Sequence, residues 1–153
     1  MMKTFHETVN TDAPTHILVE EEKSIREEWL RIANEKNLFL MTYPDPEWFL
    51  NDLRLGVFRS QDRFYLDQDF GEVRGVGLRL SGVIKARWPD AYTCLVTGYP
   101  RFMFYRELRK GAVNDVFGKY PAPFKNPRFM TFEEEYERDV WVPLTGTFQG
   151  CNG

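Results

Sequence analysis

The chain has 153 residues, 42% of them hydrophobic and 16% aromatic, with a formal net charge of −3. That length and apolar content suit one domain with a single core and exclude a disordered chain, which is too polar to bury enough surface. No stretch approaches the ~20 apolar residues of a membrane span, and Met1 to Val9 hold no apolar run of signal-peptide length.

Two cysteines, Cys94 and Cys151, lie far apart and form no CxxC, so the expectation is a cytoplasmic protein with reduced thiols. Charge is spread unevenly. Residues 72–128 carry 11 Lys/Arg against 4 Asp/Glu, and the remainder 9 against 19. A basic middle suits an anionic ligand, unless folding interleaves the charges into a mixed surface.

His16 to Glu20 reads as a first strand. Ser24 and Glu27 have capping-box spacing, and Ile25, Trp29, Ile32 and Ala33 recur at helical intervals up to a stop at Asn37. Leu38 to Tyr43 is a short apolar segment. Asp45 can cap, and Pro46 open, a helix running through Leu53. Leu55 to Arg59 and Arg63 to Phe70 are strand candidates joined by the turn Ser60-Gln61-Asp62. In the second, Phe64, Leu66 and Phe70 alternate onto one face, with Tyr65, Asp67 and Asp69 on the other.

A glycine-bearing turn, Gly71 to Gly77, opens a helix with Val76, Leu80, Val83, Ile84 and Trp88 on one face, ended by Pro89-Asp90. Ala91 to Thr97 is a buried strand, Pro100 to Lys110 a helix stopped by Gly111, and Ala112 to Phe117 strand-like. A loop spaced by Pro121, Pro123 and Pro127 leads to an acidic run and a last strand, Val140 to Thr145. Alternating helices and strands imply an α/β or mixed sheet.

Strand, glycine turn and helix (FYLDQDFGEVRGVGLRLSGVIKARW) can make an anion site, because a helix N-terminus offers unpaired N–H groups and glycines allow close approach. Gly75 and Gly77 can equally just shape a tight turn. The order that follows, a strand, an aromatic-rich helix, a glycine and another strand, resembles the GCN5-related N-acetyltransferase superfamily over roughly fifty residues. Arg74, Gly75, Gly77 and Leu78 match its pyrophosphate turn, and Phe104, Tyr105, Glu107, Leu108 and Gly111 its later helix. Arg79 stands where that turn wants a small residue, Gly98 where an asparagine is usual, the final glycine comes two residues late, and only two strands fit between Asp45 and Phe70.

The resemblance implies a single α/β (α+β) domain over residues 1–153, with a central mixed, mostly antiparallel sheet flanked by helices. It implies acyl transfer from acetyl-CoA to a small-molecule or peptide amine, in degenerate form given the departures. Val73, Arg74, Gly75, Val76, Gly77 and Leu78 would hold the pyrophosphate, Tyr105 would protonate the departing thiolate, and Asp67 or Asp69 would act as base through a water. Tyr105 can equally be a packed aromatic, and the two aspartates solvated strand carboxylates.

Asp67-x-Asp69 also has the form of a metal-binding carboxylate pair, without a third acidic ligand nearby, and no metal site is expected. His6 and His16 support neither a zinc site nor a catalytic pair. The alternative function is a non-catalytic structural or interaction module, of phage origin, binding a protein partner or nucleic acid. Tyr99 to Lys110, with Phe102, Phe104, Tyr105, Arg101, Arg106 and Arg109, can stack bases, although an amphipathic helix explains it more simply. Glu133, Glu134, Glu135, Glu137 and Asp139 can dock a basic partner or form a solvated face.

Overall fold

The computed structural model describes residues 13–119. Five strands form one sheet: β1 (His16–Val19), β2 (Leu40–Tyr43), β3 (Arg63–Asp67), β4 (Tyr92–Val96) and β5 (Asp115–Phe117). Between them run α1 (Lys23–Glu35), α2 (Pro46–Arg54), α3 (Val76–Arg87) and, after a 3-10 turn over Arg101–Phe104, the short α4 (Tyr105–Lys110). The order across the sheet is β2-β1-β3-β4-β5, and every neighbouring pair is parallel.

The mostly antiparallel, acetyltransferase-like sheet expected from the sequence is therefore corrected. Each of the first four strands is followed by a helix that carries the chain back, which is the connection a parallel pair requires. The two strands expected around Ser60-Gln61-Asp62 would have made an antiparallel hairpin, but Leu55 to Arg59 is not a strand. Val57 N–H instead bonds to Asp52 O at 3.1 Å, wrapping the segment onto the end of α2. Asp62 accepts from Arg59 N–H at 2.8 Å and Thr15 N–H at 3.0 Å, aiming β3 alongside β1.

Both faces of the sheet are buried, as a parallel sheet demands. Ile17, Val19, Phe64, Leu66, Leu95 and Val116 pack against α2 and α3 through Phe49, Leu53, Leu80 and Ile84. On the opposite face Leu18, Tyr65, Cys94 and Val96 meet Ile25, Trp29 and Ile32 of α1. The alternation along β3 thus separates two cores rather than core from solvent, and Asp67 is only 3% exposed.

Several local expectations hold. Asp45 accepts from Trp48 N–H at 2.8 Å and Pro46 opens α2. Asn37 ends α1 at φ 58°, and Gly111 ends α4 at φ 78°. The capping box does not form, because Ser24 already lies inside α1, whose cap is Glu22 without a side-chain bond. His6, Cys151, the acidic run and the strand expected over Val140 to Thr145 lie outside the described residues.

Candidate functional site

In this strand order the chain moves from β1 outward to β2 and then crosses back to β3, so the direction of winding reverses between β1 and β3. Ligands of open parallel sheets bind beyond the carboxyl ends of the strands at such a point. Four polar residues collect there. Glu20 follows β1, Asp67 ends β3, Thr97 follows β4, and Lys119 lies just beyond β5.

Lys119 Nζ lies 3.2 Å from Asp67 Oδ2 and 3.2 Å from Glu20 Oε1. The backbone holds both ends of this contact in place. Trp29 Nε1–H donates to Lys119 O at 2.9 Å, and Glu22 N–H donates to Glu20 Oε2 at 3.0 Å. Glu20 is fully buried, and its Oε1, although close to the ammonium, accepts no well-aligned hydrogen bond.

Burial, and then the neighbouring Glu20 charge, push the Asp67 carboxyl up to about 7 from its ordinary 3.8, against the opposing pull of Lys119. Burial alone would lower the Lys119 ammonium, but Asp67 and Glu20 outweigh it and raise it. The site is thus a partly desolvated carboxylate pair with a lysine between its members.

Glu20 and Asp67 offer the oxygen donors that a magnesium-type ion takes, typically one or two carboxylates completed by water or phosphate oxygens. Among the described residues no group of three or more His, Cys, Asp or Glu could hold a metal. The buried, poorly satisfied Glu20 Oε1 beside Asp67 nonetheless fits a small hard cation. Asp69 does not join Asp67 as the DxD reading supposed. It lies past the strand end, where its Oδ1 accepts from Gly75 N–H at 3.1 Å.

Beside Lys119 opens a cavity of about 530 Å3, walled by Glu22, Ile25, Thr97, Tyr99, Arg101 and Phe117. Arg101 is tethered there by bonds of 3.0 and 2.8 Å to Val116 O and lies over the Phe117 ring. Other cations of the basic middle are likewise spent on backbone carbonyls: Lys85 on Ala91 O at 2.6 Å and Arg87 on Leu53 O.

Five of the six N–H groups in the turn assigned to acetyl-CoA, residues 73–78, are already engaged. Val76 and Gly77 donate to Gln68 O at 2.7 and 3.3 Å, Leu78 to Gln68 Oε1 at 3.0 Å, Gly75 to Asp69 Oδ1, and Val73 to Phe70 O at 2.9 Å. Gln68, a buried side chain, acts as the cap of α3 and takes up donors that a pyrophosphate would need. Gly77 serves packing: a Cβ there would lie 2.7 Å from Leu95 Cδ2 and 2.9 Å from Asp67 O. Arg74 points outward, bonding to the Tyr99 hydroxyl. Tyr105 packs against the α2–α3 core, burial pushes its hydroxyl up to about 12, and it is not among the cavity walls.

Of the residues expected from sequence, only Asp67 enters the cluster at the strand ends. Glu20, Thr97 and Lys119 were missed. Each directly follows, or lies two residues beyond, a short apolar run. Once those runs are known to be parallel, their polar successors must share one edge.

No family model and no curated protein matches this sequence. Solved structures do match its fold. The response regulator TrrA of Thermotoga maritima, in complex with Mg2+-BeF, superposes with a TM-score of 0.58 at 23% identity, over 72% of this chain and 90% of that one. Chemotaxis protein CheY4 of Vibrio cholerae gives 0.59 at 15% identity, over 74% and 92%. The response regulator DrrB of Thermotoga maritima gives 0.55 at 18% identity, over 71% of this chain and 46% of that one, so the chain spans about half of DrrB.

The fold is thus that of response-regulator receiver domains, which overturns the acetyltransferase resemblance. N-acyl transfer to an amine and the acetyl-CoA cofactor fall with it. No helix among the described residues is long and apolar enough to cross a membrane.

Proposed function

We propose that this chain is a phosphoryl-receiving signalling module with Asp67 as the acceptor. The observation that carries the reading is the Asp67 carboxylate at the end of the central strand β3, with Lys119 Nζ 3.2 Å away and Glu20 beside it. Its support is the sharing of this fold with TrrA, solved with magnesium and a fluoride of beryllium, a tetrahedral stand-in for a phosphoryl group.

In the step envisaged, an ionised Asp67 oxygen attacks the phosphorus of a reactive phosphoramidate or acyl phosphate in line with its leaving group. The new O–P bond forms as the donor's P–N or P–O bond breaks. The electron pair leaves with the donor, a departing nitrogen taking a proton from solvent and a departing carboxylate remaining an anion, and Asp67 becomes an aspartyl phosphate. A low-energy phosphate ester would not serve, because the product is itself a mixed anhydride.

Lys119 is placed to neutralise charge on the transferred group. Glu20 and Asp67 would hold a divalent cation, which when bound supplies further neutralisation of the phosphoryl oxygens. Burial of Asp67 strengthens these contacts while keeping water from the product. Such a module works through protein partners, one that delivers the phosphoryl group and one that reads the change.

The test is intact-mass spectrometry after incubation with magnesium and acetyl phosphate or phosphoramidate. Uptake of one phosphoryl group, absent in Asp67→Asn and retained in Asp69→Asn, supports the reading. Equal uptake by Asp67→Asn removes it.

A further inference from the structure

The loop between β3 and α3 is built as a small flap. Phe70 and Val73 exchange two backbone hydrogen bonds of 2.9 Å, closing a tight hairpin with Gly71-Glu72 at its tip. Two glycines sit in the left-handed region, Gly71 at the tip with φ 59° and Gly75 just beyond the hairpin with φ 78°, and neither is crowded by packed neighbours. Gly71 closes the tight turn, and Gly75 lets the hairpin pivot where it joins α3. The base of the segment is fixed, because Gln68 is locked onto the first turn of α3.

The flap is tied down on both sides. Gly71 N–H donates to Glu21 Oε2 at 3.1 Å, in the loop after β1. Across the other side Arg74 donates to the Tyr99 hydroxyl, in the loop after β4, and lies 3.7 Å from Asp69 Oδ2. The guanidinium of Arg79 holds Arg74 O at 3.1 Å.

The three loops so joined start from the residues of the cluster: Glu20, Asp67 and Thr97. Asp67 pairs with Val96 in register, so the Arg74–Tyr99 bond joins the two loops that leave neighbouring strand ends just past Asp67 and Thr97. The Asp67 side chain is 5% exposed, although it ends its strand. Tyr99 is also a wall of the neighbouring cavity, so its bond to Arg74 fixes that wall as well.

We infer that Arg74 is a positioning residue that holds the flap closed over Asp67 through Tyr99, and so sets how fast a phosphoryl group is gained and lost there. The inference rests on Asp67 being the acceptor. It assigns Arg74 no contact with the reacting atoms. A latch of this kind lowers the entry and exit rates together and leaves the equilibrium between free and occupied site alone, since it touches neither donor nor product. An exposed arginine pair is weak, so the expected effect is modest, about two- to five-fold.

Two measurements on the full chain test it. Beryllofluoride with magnesium binds and leaves the parent, Arg74→Ala, Tyr99→Phe and Arg74→Lys proteins under fluorescence-monitored mixing and dilution. Association and dissociation rates both rise about two- to five-fold in the first two variants, with an unchanged dissociation constant, and Arg74→Lys restores part of the difference. Water–amide exchange by NMR, without any ligand, shows faster exchange at Gly71 in Arg74→Ala and Tyr99→Phe while the β3 amides stay unchanged. A changed dissociation constant at constant association rate would overturn the latch, since Arg74 would then touch the ligand. So would unaltered Gly71 exchange. Failure of the parent to bind beryllofluoride at all would count against the acceptor reading, and the exchange measurement separates that failure from failure of the latch.

Discussion

The Lys119 ammonium and the Asp67 carboxylate meet at 3.2 Å although 52 residues separate them in sequence. The meeting is a consequence of parallel topology. β3 and β5 both point their carboxyl ends the same way, β4 lies between them, and the chain just beyond β5 brings the lysine back across β4 to the end of β3. Glu20, from the far side of β3, completes the contact.

Lys119→Met removes the only cation within 4 Å of Asp67 among the described residues and leaves two carboxylates facing each other in a poorly solvated place. Breaking a buried pair by deleting one partner costs about 3 kcal/mol or more. Urea denaturation at neutral pH is expected to show that loss. A double variant, Glu20→Gln with Lys119→Met, recovers part of it by removing the repulsion.

The Asp67 carboxyl is raised to about 7 by burial and by Glu20, so the folded state binds its proton more tightly than the unfolded chain does. Its contribution to stability is therefore fully present below about 4 and is lost as pH rises through about 7. Asp67→Asn cannot titrate. Denaturation midpoints of the two proteins, measured without metal from pH 5 to 8, should show the variant gaining on the parent as pH rises. A difference constant with pH would contradict the assignment.

Gly77→Ala places a methyl group 2.9 Å from Asp67 O and 2.7 Å from Leu95 Cδ2, and a backbone carbonyl cannot step aside. The first turn of α3 must back away from the sheet, at a cost of about 1–3 kcal/mol. Because the carbonyl belongs to Asp67 itself, the shift also disturbs the acceptor. Thermal denaturation reads the first effect, and chemical shifts of the Asp67 and Gln68 amides read the second.

Trp29→Phe keeps a ring in the α1 core but removes the indole N–H that bonds to Lys119 O at 2.9 Å. The expected loss of stability is about 1 kcal/mol for the hydrogen bond, with some packing added. Lys119 loses its anchor at the same time, so the Lys119 side-chain resonances should broaden or shift while those of the α2 and α3 core do not.

Much of the fold was legible locally. The α1 stripe of Ile25, Trp29, Ile32 and Ala33, the Asp45-Pro46 start of α2 and the Gly111 stop all act through neighbours a few residues away, which is why periodicity and capping chemistry exposed them. Strand direction is not local. Asp67 was singled out, but paired with Asp69, because two carboxylates at alternate positions share a face only while the strand continues. It ends at Asp67, and Asp69 turns to cap Gly75. The glycine turn misled for a related reason: its free-looking amides are consumed by Gln68, whose role as a cap depends on the approach of α3 to β3. Glu20, Thr97 and Lys119 carry no motif, and only the shared edge of a parallel sheet unites them.

The most direct measurement is reductive trapping of the product. Borohydride cleaves an acyl phosphate and converts the modified aspartate to homoserine, which peptide mass spectrometry then locates. After incubation with acetyl phosphate and magnesium, homoserine at residue 67 alone is the predicted result. Phosphoryl uptake with residue 67 unreduced, or reduction at Asp69 or Glu20 instead, would contradict the account.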